Sequence, residues 1–269
     1  MVSTVSSHTL PPPGQTYPLT FSETFLYSGN RGRKRIFNDF ANFYEKDTLC
    51  QYGIALIGGG ILANTRMDYR FKNWYQRQIR CDFTDDLSGF SKVFGEGKIF
   101  IPVAVTTACV YRFYQEKYDR THIERPIGNF FDRTARGYAV GTPTLLLGQL
   151  ILGGDRPRNG SSYWKPFCGE NHTFSGHAFI GAIPFITAAH MSERIWVKGV
   201  FYTLSVIPAW SRVNDNAHFL SQSLLGWYLA YLSVRSVSET EGLKPLPKGI
   251  SFFPVVDGEY VGLGFAYRR

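Results

Sequence analysis

The chain has 269 residues, of which 44% are hydrophobic and 16% aromatic, and its formal net charge is +8. This composition excludes a disordered chain, and the length suits one domain with a sizeable core. The mean hydropathy of −0.15 is low for a chain made mainly of long membrane spans. The positive charge favours an anionic partner such as a phosphorylated substrate or lipid headgroups, whereas the scattered placement of the basic residues disfavours nucleic acid.

Residues 1–50 are expected to form an N-terminal extension. The first 20 residues are polar and Pro-rich, and they lack the apolar core of a cleaved signal peptide. Between residues 31 and 50, aromatic residues recur every three or four positions among arginines and lysines. This spacing predicts an amphipathic helix that lies either on a membrane surface or against the rest of the fold.

The helical domain is predicted between residues 51 and 236, where six apolar segments occur. They cover approximately 51–65, 99–114, 135–153, 174–191, 195–210 and 217–234. Segments of this length are too long for strands and are typical of helices. We therefore predict an all-α protein built on a six-helix bundle. Residues 66–98 are expected to be a charged loop that ends in a turn, Phe94–Lys98, before the second helix.

Whether the bundle lies in a membrane is open from the sequence. A membrane span needs about 20 apolar residues, and several of these segments are barely long enough. His190 lies at the edge of the fourth segment, and Lys198 interrupts the fifth. Tryptophans near the segment ends favour a membrane, but the basic 66–98 loop contradicts the positive-inside rule if the site faces outward. We expect a membrane-embedded bundle, with a soluble helical bundle as the alternative.

The tail, residues 237–269, differs in pattern from the helical domain. Two short runs rich in Val, Phe and Tyr flank Asp257-Gly258. This arrangement is typical of a β-hairpin, which we expect to lie outside the bundle.

Polar clusters occur at the ends of the last four apolar segments. Arg156-Pro157 follows the third segment, Ser175-Gly176-His177 opens the fourth, and Arg212 and His218 lie between the fifth and the sixth. In an antiparallel up-down bundle these four ends lie on one side. A helix start with unpaired N–H groups, together with two arginines, predicts an oxyanion site.

These clusters resemble the three signature motifs of the phosphatidic acid phosphatase type 2 and vanadium haloperoxidase superfamily. That family has Lys-x6-Arg-Pro, then Pro-Ser-Gly-His, then Ser-Arg-x5-His-x3-Asp with a glycine four residues further on. Phe174 replaces the proline, Gln149 replaces the lysine and Gln222 replaces the aspartate. The remaining motif positions match, namely Arg156, Pro157, Ser175, Gly176, His177, Ser211, Arg212, His218 and Gly226.

The resemblance implies a metal-independent phosphatase without a cofactor, in which vanadate can bind as a phosphate analogue. His218 would attack phosphorus to form a phosphohistidine, and His177 would act as general acid and then base. Arg156, Arg212, Ser175 and Gly176 would hold the phosphate oxygens. Gln149 would lack the charge of the family lysine, and Gln222 would orient His218 without the charge of the family aspartate. Asp215 and Lys165 are candidate substitutes for these charges.

The expected substrate is a phosphate monoester or pyrophosphate, most simply of a lipid. We expect a location at the cell membrane, with the site facing the extracytoplasmic side. Two alternatives stay open: a catalytically impaired member that binds phosphate or lipid, and a soluble acid phosphatase or vanadate-dependent haloperoxidase. The missing lysine disfavours the haloperoxidase.

Overall fold

The structure, a computed structural model, describes residues 21–118, 126–169, 171–243, 250–257 and 260–267. In these residues the chain forms nine α-helices and two strands. The helices are α1 (Phe21–Phe43), α2 (Lys46–Asn64), α3 (Met67–Gln78), α4 (Asp82–Lys92), α5 (Gly97–Tyr118), α6 (Pro126–Leu152), α7 (Gly176–Met191), α8 (Ile195–Asn214) and α9 (Leu220–Thr240). The strands are β1 (Ile250–Asp257) and β2 (Tyr260–Tyr267).

The six predicted apolar segments correspond to α2, α5, α6, α7, α8 and α9, and the all-helical prediction for the domain is confirmed. The expectation of a loop over residues 66–98 was wrong, because this segment forms α3 and α4. Both helices are amphipathic and bury one face, including Tyr75 and Ser88, while their charged side chains stay outside. The predicted turn before the second apolar segment is present as a 3₁₀ turn, Val93–Gly95.

The predicted N-terminal helix differs in its bounds. A helix was expected over residues 31–50, but α1 ends at Phe43 and α2 begins at Lys46. Phe43 is buried in the core, and α1 packs against α9, α5 and α6. The domain limits at residues 50 and 236 stay predictions, although these positions fall within α2 and α9.

The core is centred on α7, which contacts α6, α8 and α9. Phe179, Ile183 and Ile186 on α7 are fully buried, as are Leu229 and Leu232 on α9. Burying large apolar side chains on two adjacent helices supplies most of the stabilisation of such a bundle. This packing holds the beginning of α7 next to the beginning of α9.

A buried ion cluster joins α1, α5, α6 and the residue that follows α9. Arg136 donates two hydrogen bonds to the fully buried Asp39, with N···O distances of 2.7 and 2.6 Å. Asp132 accepts from Arg136 and from Arg112, and Glu241 accepts from Arg136. The bidentate geometry pairs these charges where solvation is lost. The cluster lies at the end of the bundle opposite to the predicted oxyanion site, because α6 begins here and α9 ends here.

At the other end, α6 and α8 end while α7 and α9 begin. The approach of α9 to the start of α7 depends on Gly226. A Cβ atom added to Gly226 would lie 2.4 Å from the backbone oxygen of Ser175. The glycine of the third motif therefore permits contact between the second and third motifs.

No single helix among the described residues has both the length and the apolarity of a membrane span. The pair Asp82–Gly95 and Gly97–Tyr114, bent by 42°, meets these two criteria when taken together. The embedding of the bundle in a membrane stays a prediction.

In the tail, β1 pairs antiparallel with β2, and Asp257 lies opposite Tyr260. The predicted turn at Asp257-Gly258 includes Gly258, which lies outside the described residues. The predicted β-hairpin, which includes this turn, therefore stays a prediction.

We expect Gly226→Ala to lower the free energy of unfolding by about 1–3 kcal/mol, because the added methyl group meets backbone that cannot move aside. Urea denaturation would measure this change. Gly199→Ala is the matched control on α8, since a Cβ there has no atom within 4 Å. The control should be neutral or gain up to about 1 kcal/mol. Equal stability of Gly226→Ala and the unmutated chain would contradict the close contact.

Candidate active site

The second motif forms the start of α7. Ser175 is the N-cap residue, and its hydroxyl oxygen accepts a hydrogen bond from the N–H of Ala178 at 3.2 Å. This bond satisfies one of the unpaired N–H groups at the helix start. A Cβ added to Gly176 would meet no atom within 4 Å, so there is open space beside its backbone. The start of α7 therefore presents backbone to an open region.

Gln222 connects all three motifs. Its backbone oxygen accepts from the N–H of Ser175 at 3.0 Å, and its side-chain nitrogen donates to the backbone oxygen of Asp155 at 2.7 Å. Its side-chain oxygen accepts from the N–H of Phe219 at 3.1 Å and lies 3.0 Å from Nδ1 of His218. Gln222 is buried, so each of these hydrogen bonds forms away from water.

The hydrogen bonds of Gln222 determine the tautomer of His218. Because Oε1 of Gln222 is an acceptor, Nδ1 of His218 carries the proton and donates to it. The neutral ring then has its lone pair on Nε2. Burial lowers the pKa of His218 to about 3, and the nearby positive charges of Arg212 and Arg156 lower it as well, while the bond to Gln222 opposes this. His218 is therefore neutral at pH 7.

Arg156 and Arg212 carry donors without acceptors. The Nε atom of each is buried and has no hydrogen-bond partner within the part of the chain that the structure describes. The two guanidinium groups are close enough to repel each other, since Arg156 lowers the pKa of Arg212 in addition to the larger effect of burial. A buried and a half-buried cation that repel each other and carry unused donors are an arrangement suited to an anion.

Of the two residues expected to replace the missing family charges, Asp215 contacts an arginine, and the expectation for Lys165 stays a prediction. Asp215 contacts Nη1 of Arg212 at 3.2 Å and Nζ of Lys92 at 3.3 Å, and it accepts from Ser88 at 2.6 Å. It thus orients an arginine, whereas Gln222 orients His218. The side chain of Lys165 is exposed on the loop that precedes α7.

Gln149, at the lysine position, binds protein backbone. Its Nε2 donates to the backbone oxygen of Phe174 at 2.7 Å. Phe174 is fully buried, and a Cβ on Gly148 would lie 2.5 Å from its ring. The changes at positions 149 and 174 therefore belong to one contact between the end of α6 and the second motif.

Sequence reasoning missed Glu96, which follows the 3₁₀ turn Val93–Gly95. Its Oε1 lies 3.6 Å from Nε2 of His177. A Cβ on Gly95 would lie 2.9 Å from the His177 ring, so the turn packs directly on this histidine. The sequence signal was the pair of glycines at 95 and 97, which predicted a turn but could not predict its tertiary contact.

The environment of His177 lowers its pKa. Burial is the largest cause, and the positive charges of Arg212 and Lys92 act in the same direction, while Glu96 opposes them. His177 is about one-third exposed, whereas His218 is nearly enclosed. The two histidines thus differ in solvent access: His177 has a carboxylate partner near solvent, and His218 has an amide partner in the interior.

The site consequently combines a neutral buried histidine, a second histidine with a carboxylate neighbour and two arginines with unused donors. Of the predicted residues, Ser175, His218 and Gln222 are joined by hydrogen bonds, and Arg156, Arg212 and His177 interact with this group electrostatically. Gln149 adjoins it through the backbone of Phe174. Among the described residues, no group of three His, Cys, Asp or Glu side chains is arranged to hold a metal ion.

Residues 137–241 match the model of the PAP2 superfamily. The matched segment contains all three motifs and both glutamine replacements, and it leaves out Glu96 and the charged helices α3 and α4. No curated protein and no solved structure matches the chain significantly.

Glu96→Gln should lower the pKa of His177 further, because it removes the negative charge that stabilises the imidazolium. A titration of the His177 ring followed by NMR would measure this shift. Glu193→Gln is the matched control, since Glu193 is exposed beyond the other end of α7. An unchanged or raised pKa of His177 in Glu96→Gln would contradict the assigned contact.

Proposed function

From the membership of residues 137–241 in the PAP2 superfamily, whose members are generally phosphatases, we propose that this protein hydrolyses a phosphate monoester or pyrophosphate. The observation that carries the proposal is the pair of arginines, Arg156 and Arg212, whose buried Nε donors are unused beside two histidines. A tetrahedral oxyanion with several acceptor oxygens fits this donor set, because guanidinium groups bind phosphate through parallel N–H···O contacts.

In the proposed first step, Nε2 of His218 attacks phosphorus with its lone pair. The bond between phosphorus and the leaving oxygen breaks, and protonated His177 gives its proton to that oxygen. The products are a phosphohistidine and the released alcohol, or phosphate where the substrate is a pyrophosphate. The tautomer with the proton on Nδ1 supports this role for His218, since it leaves Nε2 unprotonated.

In the second step, neutral His177 removes a proton from water, and the resulting hydroxide attacks the phosphohistidine. The bond between nitrogen and phosphorus breaks, which regenerates neutral His218 and releases phosphate. Arg156 and Arg212 stabilise the charge on the non-bridging oxygens in both steps, and the backbone N–H of Gly176 adds a donor from the start of α7. No metal or other cofactor enters these steps.

Two features favour a second candidate function, a phosphate-binding member with little turnover. Gln222 brings no negative charge to stabilise a charged His218, whereas the aspartate of a hydrolase triad stabilises the imidazolium that forms. Gln149 brings no positive charge, and its Nε2 is already bonded to Phe174. In this alternative the two arginines bind phosphate tightly, and the product is released slowly or not formed.

His218→Ala should reduce the hydrolysis of a soluble phosphate monoester by about 10³-fold or more, because the proposed nucleophile is lost. A rapid quench after mixing with labelled substrate should trap an acid-labile phosphoenzyme only in the unmutated chain. The matched control is His172→Ala, whose ring centroid lies 6.3 Å from that of His218. Equal rates in His218→Ala and the unmutated chain would reject the mechanism.

Binding of vanadate separates the two candidate functions. Vanadate adopts the geometry of phosphate and should occupy the same arginine pair. An active phosphatase should be inhibited by it competitively. Vanadate binding, measured by calorimetry, without any turnover of phosphate esters would favour the phosphate-binding member, and oxidation of bromide by the loaded protein would favour a haloperoxidase.

We further propose that the substrate is a phosphorylated lipid, that the protein lies at the cell membrane and that its site faces the extracytoplasmic side. The support is a set of apolar side chains left on the surface of α2 and α6. Ile54, Ile57 and Ile61 on α2 are each at least 55% exposed, and Leu146 and Leu150 on α6 are similarly exposed. Exposed apolar surface of this kind is typical of membrane or protein contacts.

Ile57→Asp should lower the ratio of the rate on phosphatidic acid in vesicles to the rate on a soluble ester by about tenfold, since it places a charge on the apolar surface of α2. Ile57→Val is the conservative control and should keep the ratio. Extraction of the unmutated protein from membranes should require detergent. A soluble protein with the same ratio in all three forms would reject the lipid proposal while leaving the phosphatase proposal intact.

A further inference from the structure

A groove of about 490 Å³ lies beside the candidate active site, between the start of α3 and the loop that follows Arg156-Pro157. Its polar lining includes Arg66, Tyr69, Arg70 and Asn73 from the helix side, and Ser161 and Tyr163 from the loop. None of the described residues that line it is acidic. A volume of this size exceeds that of one phosphate group.

The cations of the groove are not paired with protein groups. Over residues 21–118, 126–169 and 171–243, the guanidinium groups of Arg66 and Arg70 have no acidic partner or other hydrogen-bond acceptor. Lys72 adds a third positive charge near the groove, with its ammonium 5.4 Å from the centre of the Tyr69 ring. Since the groove lacks carboxylates, its positive potential remains available to an anion.

Both walls of the groove are attached to the bundle. On the helix side, the buried Asp68 accepts a hydrogen bond from the N–H of Ser221 at 3.1 Å, which joins α3 to the start of α9. On the loop side, Ser162 donates to the backbone oxygen of Ala63 at 2.8 Å, and the N–H of Trp164 donates to Asn64 at 3.0 Å. These contacts fix the two walls relative to each other.

The groove adjoins the arginine pair of the candidate active site. Lys72 Nζ donates to the backbone oxygen of Pro157 at 3.2 Å, and Pro157 directly follows Arg156. The same short turn therefore carries Arg156 on one side and leads into the groove wall at Gly160 on the other. A ligand whose phosphate is held by Arg156 would reach the groove by following this one turn.

We propose that the groove binds a second phosphate group of the substrate, so that the enzyme prefers bisphosphorylated polyols, free or as a lipid headgroup, over monophosphorylated ones. Arg66 and Arg70 supply the charge for the second phosphate, and Asn73, Ser161 and the tyrosine hydroxyls supply hydrogen bonds to the intervening polar skeleton. This inference rests on the proposed phosphatase function, since it concerns the substrate of the same site.

The test compares fructose 1,6-bisphosphate with fructose 6-phosphate as substrates of the full chain. The unmutated protein should have the higher kcat/KM for the bisphosphate. In the double variant Arg66→Ala/Arg70→Ala, the ratio of the two kcat/KM values should fall about tenfold or more, because two charged contacts to the second phosphate are lost. Arg77→Ala is the matched control, since Arg77 is exposed in the last turn of the same helix and does not line the groove.

The inference would be overturned by an unmutated protein that prefers neither fructose 1,6-bisphosphate over fructose 6-phosphate nor phosphatidylinositol 4-phosphate over phosphatidic acid. A preference that is unchanged in the double variant in both the sugar-phosphate and the vesicle comparison, or that falls equally in Arg77→Ala, would overturn it as well. A parallel comparison measures the rates on vesicles that contain phosphatidylinositol 4-phosphate and on vesicles that contain phosphatidic acid. It shows whether the bisphosphorylated polyol is a lipid headgroup or a free molecule. If the double variant loses the preference for the bisphosphorylated substrate only in the vesicle assay, the ligand of the groove is a lipid headgroup. If it loses this preference in the sugar-phosphate assay as well, the ligand is a free polyol.

Calorimetry distinguishes failure of the inference from failure of the proposed function. Binding of fructose 1,6-bisphosphate that is weakened in the double variant, in a protein that hydrolyses neither ester, would support the groove and reject the phosphatase. Hydrolysis of the sugar phosphates and of the lipid phosphates without any effect of the double variant would support the phosphatase and reject the groove.

Discussion

The site depends on the hydrogen bonds of one buried amide, that of Gln222. Its side chain joins the backbone before Arg156 to His218, and its backbone oxygen holds Ser175 at the start of α7. An amide can both donate to the oxygen of Asp155 and accept from His218, whereas an ionised carboxylate can only accept. A carboxylate with the same reach would place a negative oxygen against the Asp155 carbonyl. The glutamine therefore suits this backbone arrangement, and its presence is more than the loss of a charge.

The neutral amide also determines how the site is charged. Without a carboxylate beside it, the buried His218 has a strongly lowered pKa and stays neutral between two arginines. Carboxylates lie elsewhere at the site: Asp215 faces Arg212 and Lys92, Glu96 faces His177, and Asp155 accepts from the N–H of Arg156. His218 thus has a neutral partner, and His177 has a carboxylate partner. This distribution keeps both arginine Nε donors available to an anion.

The sequence predicted the parts of this arrangement that depend on local spacing. The apolar periodicity indicated the six principal helices, and their antiparallel order assigned the motifs at their ends to one side of the bundle. The contacts between distant segments could not be predicted in this way. Glu96 meets His177 only because the turn after α4 packs on α7. The sequence predicted a loop in place of α3 and α4, because their apolar faces are short and their exposed charges dominate the composition of the segment.

The charged segment 66–98, which was predicted to be a loop, contributes the helix α3 to the end of the bundle that carries the site. The helix α3 lies across this end of the bundle, since Asp68 binds the start of α9 while Gln76 donates to the backbone oxygen of Val213 at the end of α8. This position brings Lys72 to Pro157 and places Arg66 and Arg70 beside the turn that carries Arg156, with no acidic partner among the described residues. Three basic side chains in or next to α3 therefore lie at the end of the bundle that carries Arg156 and Arg212. The field of such an arrangement attracts anions to this end and favours those with more than one negative group.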